Sequence, residues 1–241
     1  MSFRDEIDDP RREFLVRALA AGLFAAGGSA GILQPAFAMG KVPKELVPGK
    51  SVYDVEGRAL VNGKQATLDT SIPPNASLET GPGGRLIFAV GRDAFILRGN
   101  SKLKLAGSNT VVDTLNLLSG KLLSVFGKTQ HTVQTTVATV GIRGTGIYVE
   151  SDPDKSYVCT CYGITDIGAT DDPNSIETIA ATHHDSPKYV LRTPGSNGKR
   201  VVPGPFINHT DLELALIEEL VGRTPPFAFE GDEYAAPRKT Y

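Results

Sequence analysis

The chain of 241 residues has no tryptophan, only two cysteines and no cluster of lysine or arginine. With a formal charge of −2 and basic residues scattered, it lacks the electrostatic footprint of a nucleic-acid-binding protein. Two cysteines cannot build a multi-bridge disulfide framework or paired Cys-x-x-Cys zinc knuckles. There is also no Gly-x-Ser-x-Gly elbow, no His-Glu-x-x-His helix and no pair of carboxylates in an apolar setting. The chain is therefore read as a non-enzyme. A Cys–His nucleophile is the one arrangement its residues could supply, and two thiols facing a histidine suit metal or redox work better.

Long apolar runs are missing as well. The one candidate, Ala18 to Leu33, is short and rich in glycine and alanine, which does not suit a membrane span. It lies between Arg11-Arg12-Glu13-Phe14-Leu15 and the small-residue site Ala36-Phe37-Ala38. That order is the pattern of a twin-arginine export signal, carried by Arg11 and Arg12, although Pro10 and its acidic neighbours depart from the usual flank. The reading is a signal peptide over residues 1–38 and a periplasmic mature chain from Met39 that has no membrane span, with an uncleaved anchor as the alternative. Removing residues 1–38 takes away four basic and five acidic residues, leaving a mature charge near −1. The twin-arginine route carries folded proteins, often with a cofactor already inserted.

What the chain has in abundance is glycine and proline. Gly 26 and Pro 16 make 42 of 241 residues, and β-branched runs fill the gaps, which favours many short strands. Residues 39–50 read as a linker. Arg58 to Leu68 reads as a hairpin around Asn62-Gly63, the pair a tight two-residue turn prefers. Alternating segments follow at Leu86–Val90, Ala94–Leu97, Lys102–Leu105, Thr114–Leu117 and Leu122–Val125. Gly91, Gly99-Asn100, Gly107, Gly120 and Gly127 punctuate them. Strands of five or six residues, each with one buried face, predict an all-β fold: a two-layer sandwich or roll, or a short β-solenoid.

One helix is predicted. Thr210 and Glu213 form a capping box, Leu212, Leu214, Ala215, Leu216, Ile217, Leu220 and Val221 make a broad apolar face, and Gly222 with Pro225-Pro226 ends it. The expectation is a helix over 209–223 docked on its own β-domain or, alternatively, in a partner's groove. Residues 224–241 read as a loose tail.

Residues Ser77 to Glu150 resemble the FecR domain family. Gly84-Gly-Arg-Leu-Ile is similar to its early strand, and Phe95-Ile-Leu-Arg-Gly-Asn-Ser-Lys-Leu-Lys-Leu105 to its strand-turn-strand. Leu115-Asn-Leu-Leu-Ser-Gly-Lys-Leu122 is similar to its ladder. Thr135-Thr-Val-Ala-Thr-Val-Gly141-Ile-Arg143-Gly144-Thr145-Gly-Ile-Tyr148 is similar to the family's "TP.A.VGVRGT.F" signature. The resemblance implies a FecR-like β-domain over 51–168, periplasmic, with an envelope protein partner; the family's best-known relatives pass a receptor's state to an anti-sigma segment. Only ten residues precede Arg11, so the cytoplasmic anti-sigma segment of the best-known relatives is not expected. What remains is a binding, signalling or scaffolding module. Around Gly141, Arg143, Gly144 and Thr145 no Gly-Lys-Ser/Thr follows, so a phosphate cradle is set aside. A tight crossover between strands is expected there, with Arg143 satisfying carbonyls or a carboxylate.

Beyond the signature, residues 169–208 read as a hairpin extension. Tyr157–Ile167 and Ile176–Thr182 form two strands around an Ala169–Ser175 turn. Pairing centred on Asp172 sets opposite residues at numbers summing to about 344, so Cys161 faces His183 and Cys159 faces Asp185. A one-residue slip substitutes His184. Cys159 and Cys161 point to one face of their strand. With His183 or His184, and with His209 if the helix docks alongside, they form a candidate site for zinc, copper or iron. Three readings stay open: this metal site, a strained Cys159–Cys161 disulfide, or inert buried thiols. His209 could equally serve only the helix start, and His131 reads as structural.

Overall fold

The computed structural model describes residues 51–109, 111–223 and 225–227; the expected signal peptide, linker and nearly all of the tail lie outside them. The first strands are β1 (Val52–Glu56), β2 (Ala59–Val61), β3 (Lys64–Gln65), β4 (Ser77–Thr80), β5 (Arg85–Val90), β6 (Asp93–Leu97) and β7 (Lys102–Ser108). Then come β8 (Val111–Val125), β9 (Gln130–Gln134), β10 (Ala138–Ser151), β11 (Lys155–Ala169), β12 (Asp172–Ala181), β13 (Lys188–Leu191) and β14 (Val201–Pro203). Helix α1 (Asp211–Leu220) closes the order. All fourteen strands belong to one hydrogen-bonded sheet, antiparallel except where β8 meets β9. Among the described residues the sheet is not closed, and the fold is an all-β sandwich or roll with one docked helix.

The predicted Asn62-Gly63 turn joins β2 to β3, with φ of 50° and 77° at its two central residues. Strand lengths differ from the expected five or six: β8, β10 and β11 run 15, 14 and 15 residues. The reason is that their glycines kink a strand instead of ending it. Strand β8 pairs with β7 up to Ser119, then with β6 and β10 beyond Gly120 (φ 93°). Strand β10 pairs with β9 up to Arg143 and with β8 from Gly146, around Gly144 (φ 60°). Strand β11 serves β13 before Gly163 (φ 89°) and β12 after it. The Gly141–Gly146 segment is thus a bulge inside β10 where the strand changes partner, which corrects the expected crossover. Arg143 reaches a carboxylate, Asp166, at 2.8 Å, and stays largely exposed.

Alternation along these strands creates two apolar layers. Phe88, Phe95, Leu97, Leu115, Val140 and Val149 fill the inside of the roll. Ile87, Ile96, Leu123, Tyr148, Tyr157, Cys159 and Cys161 face outward and are covered by Leu214, Leu216, Ile217 and Leu220 of α1. Strands β5 and β6 are consequently buried at every position.

Thr210 caps the helix as expected: its Oγ1 accepts the Glu213 amide at 3.2 Å and donates to the Glu213 carboxylate, which also pairs with Arg98 at 2.7 Å. Gly222 (φ 70°) and Arg223 donate to the carbonyls of Glu219 and Glu218, a Schellman-type end. A ten-residue helix has little stability of its own, so packing holds it. Leu216→Ala should therefore cost about 2–5 kcal/mol, measured by denaturant unfolding; a loss under about 0.5 kcal/mol would place the helix outside the cooperative core.

Candidate metal centre

The β11–β12 ladder keeps the expected register from Ile167↔Glu177 to Gly163↔Ala181, every pair summing to 344. It then stops. The Asp185 carboxylate accepts the amide and hydroxyl of Thr182 at 2.6 and 2.8 Å and the amide of His183 at 3.2 Å, turning the chain out of the strand. His184 takes a left-handed conformation (φ 54°) and its amide donates to the Cys161 carbonyl at 2.9 Å. The register does not slip, but the bend brings His184, not His183, to Cys159, and Asp185 is spent on the bend instead of facing Cys159. At the hairpin tip the ladder tightens to Ala169↔Asp172, so the connecting turn is shorter than the predicted Ala169–Ser175.

His209 arrives from the other side. Tyr157 Oη donates to the Pro205 carbonyl and Asn208 Nδ2 to Glu150, each at 2.7 Å, clamping the segment that leads into α1. The His209 ring stacks on Tyr148 at 4.5 Å, and Phe206 packs against both His184 and His209. One donor atom from each of Cys159, Cys161, His184 and His209 lies within 4.8 Å of all the others, and all four residues are buried. Both cysteines are free thiols with no exposed surface.

The hydrogen bonds on the far side of each ring decide what the near side can do. His209 Nδ1 donates to the Ile207 carbonyl at 2.7 Å, leaving Nε2 with its lone pair turned inward. His184 Nε2 donates to the Asp211 carboxylate at 3.0 Å, turning Nδ1 inward. The two inner nitrogens stand 3.2 Å apart, and His184 Nδ1 is 3.4 Å from Cys159 Sγ. A tetrahedral zinc ion with its usual bond lengths sets nitrogen ligands about 3.3 Å apart and nitrogen from sulfur about 3.5 Å. The two inner separations, 3.2 and 3.4 Å, are close to the nitrogen–nitrogen and nitrogen–sulfur edges of that tetrahedron, and all four donors lie within 4.8 Å of one another. A [2Fe–2S] cluster would spread its ligands over two irons and does not fit donors this close.

Without a metal the site favours a Cys159 thiolate beside a charged His184, so an entering cation must displace protons from His184 and Cys161. Burial resists ionisation of Cys159, but hydrogen bonds from Cys161, His184 and His209 outweigh it and hold the thiol well below its ordinary pKa. Burial and the adjacent Cys159 sulfur push Cys161 well up. Burial disfavours a charged His184, yet Asp211 and Cys159 raise it to about 8. Two thiolates and two neutral imidazoles would exactly offset the charge of a divalent ion in a site where net charge is costly.

Of the five candidate ligands, the structure gathers Cys159, Cys161, His184 and His209 and places His183 behind them, on Asp211. His131 is elsewhere, buried between Val112 and Thr129. Asp211 was not singled out from the sequence. Its signal was an acid at the first helical position directly after His209 and Thr210. Tyr148 and Phe206, which wall the site, read only as strand and loop residues.

No protein-family model matches the chain, and no curated protein does. Among solved structures, two crystal structures of a "putative anti-sigma factor" from Parabacteroides distasonis align with it at 12% identity and a TM-score of 0.43. The alignment covers 53% of this chain and 58% of that one, so this chain spans little more than half the length of that protein. The likeness is partial and confined to the fold.

Proposed function

We propose that this chain is an exported FecR-like binding module whose ligand is one divalent transition-metal ion, zinc by its donor set, held by Cys159, Cys161, His184 and His209. The observation that carries this reading is the convergence of two imidazole nitrogens and two thiols within 4.8 Å of one another, with each outer ring nitrogen already committed to a protein acceptor. Four protein ligands and full burial describe a closed site, which suits metal-dependent structure or sensing and leaves no open position for a substrate. The same burial weighs against Cys159 as a nucleophile, since a substrate cannot approach a thiol with no exposed surface. The resemblance of Thr135–Tyr148 to the FecR signature supports an envelope setting with a protein partner, and export of a folded protein suits a metal loaded beforehand.

Protein recovered from a periplasmic fraction should carry about one equivalent of metal, with Cys159 and Cys161 titrating as thiols only after denaturation with chelator. Sub-stoichiometric metal with a closed Cys159–Cys161 disulfide would overturn the reading. The export reading has its own check. Replacing Arg11 and Arg12 with lysine should trap precursor in the cytoplasm, and unchanged export would refute it.

A further inference from the structure

Metal reaching the buried quartet must pass the protein surface, and the structure offers donors on one side of it. His184 has two faces: Nδ1 looks into the quartet, while Nε2 looks toward Asp211. Behind it, His183 Nε2 lies 3.0 and 2.9 Å from the two Asp211 oxygens. His183, His184 and Asp211 place their donor atoms within 4.8 Å of one another. The side chains of His183 and Asp211 remain 24% and 28% exposed, against 1% for His184. His184 therefore joins two groups, turning Nδ1 toward the buried, sulfur-rich one and donating its Nε2–H to Asp211 in the outer one of imidazole and carboxylate.

We infer that His183 and Asp211 form a capture site through which a hydrated divalent ion is passed to the quartet. This rests on the reading of the quartet as a metal site. A hydrated divalent cation exchanges waters readily for carboxylate and imidazole. Asp211 and His183 supply one of each within reach of solvent, so the ion sheds part of its shell before meeting the thiols. Transfer needs His184 to move only locally. It sits in the bend just beyond the β12 ladder, where pairing with β11 has ended. Asp211 has a second task, since its hydrogen bond fixes the tautomer of His184, and such partners ordinarily change metal affinity 10- to 100-fold. His183 gives no donor atom to the quartet, although its ring packs against that of His184 at 4.8 Å.

That division yields a thermodynamic signature. A residue on the loading path alone lowers the barrier equally in both directions, so its loss slows association and dissociation by the same factor and leaves Kd unchanged. A residue that holds a ligand in place changes Kd. The probe is Co2+ mixed with metal-free full-length protein in a stopped-flow instrument, read by its thiolate charge-transfer absorption, with release followed by chelator competition. His183→Ala should slow both rates by about tenfold with Kd within twofold of wild type. Asp211→Asn should slow loading and also weaken Kd by about 10- to 100-fold. Loading of His183→Ala at the wild-type rate, or a changed Kd with unchanged association, would overturn the capture site while leaving the quartet intact. His183→Gln, which keeps a polar side chain on Asp211, should load as slowly as His183→Ala; recovery of the wild-type rate would assign His183 to hydrogen bonding only. Wild-type protein that gives no thiolate–Co2+ band would instead overturn the metal centre, and the capture site with it.

Discussion

Removing the ion should lower the melting temperature of this protein by about 8–16 °C when free metal had been held near a thousand times Kd. The figure follows from linkage: an ion that binds the folded state and not the unfolded one adds about 4 kcal/mol at that concentration. Each kcal/mol moves the midpoint of a chain this size by about 2–4 °C. The unfolded chain should hold the ion poorly, as linkage requires, because the three ligating segments are far apart in sequence. Cys159 and Cys161 come from the middle of β11, His184 from the bend after β12, and His209 from the residue before the Thr210 cap. One ion held by these four would tie the sheet, the hairpin and the root of α1. Replacing both cysteines with serine should abolish the metal-dependent increment whatever the variant's own baseline, since the comparison is between the same protein with and without zinc. Calorimetry on wild type and variant checks this. An increment retained in the double variant would place the metal elsewhere.

The second large effect concerns the kinks that let one sheet roll. Gly120 sits inside β8 at φ 93°, and an added Cβ there would stand 2.1 Å from Ser101 Oγ and 2.5 Å from Ser101 Cα. Ser101 has no room to give: it is fully buried, its amide donates to Thr80 and its hydroxyl accepts the Lys121 amide at 2.9 Å. Gly120→Ala combines an unfavourable backbone conformation with a backbone collision and should cost about 3–5 kcal/mol. Gly222→Ala is the matched comparison, because its φ is 70° and nothing lies within 4 Å of the added carbon. That change should cost only about 1 kcal/mol. Equal losses in the two variants, by urea unfolding, would show that backbone conformation alone matters and that the packing at Gly120 does not.

Much of this was legible in the chain because the relevant signals are local. Alternation located the strands, Asn62-Gly63 located a hairpin, and Thr210 with Glu213 located the helix start. The hairpin register followed from the Asp172 region and placed an imidazole beside Cys161 to within one residue. The last residue of register was not legible, since it depends on Asp185 folding back onto the amides of Thr182 and His183. Glycines were the other blind spot. Gly120 read as a break between short strands, Gly144 as part of a crossover and Gly163 as the interior of one strand, whereas partner exchange across the sheet is a long-range property that no local spacing records. Asp211 went unnoticed for the same reason: its role appears only when α1 docks and brings its first turn to His183 and His184.

The most direct measurement is X-ray absorption at the zinc edge on protein loaded with one equivalent of metal. Two sulfurs at about 2.3 Å and two imidazole nitrogens at about 2.0–2.1 Å are the expected shell, losing sulfur in Cys161→Ser and one imidazole in His209→Ala. A shell of oxygen and nitrogen without sulfur, or one unchanged in both variants, would contradict a centre built from Cys159, Cys161, His184 and His209.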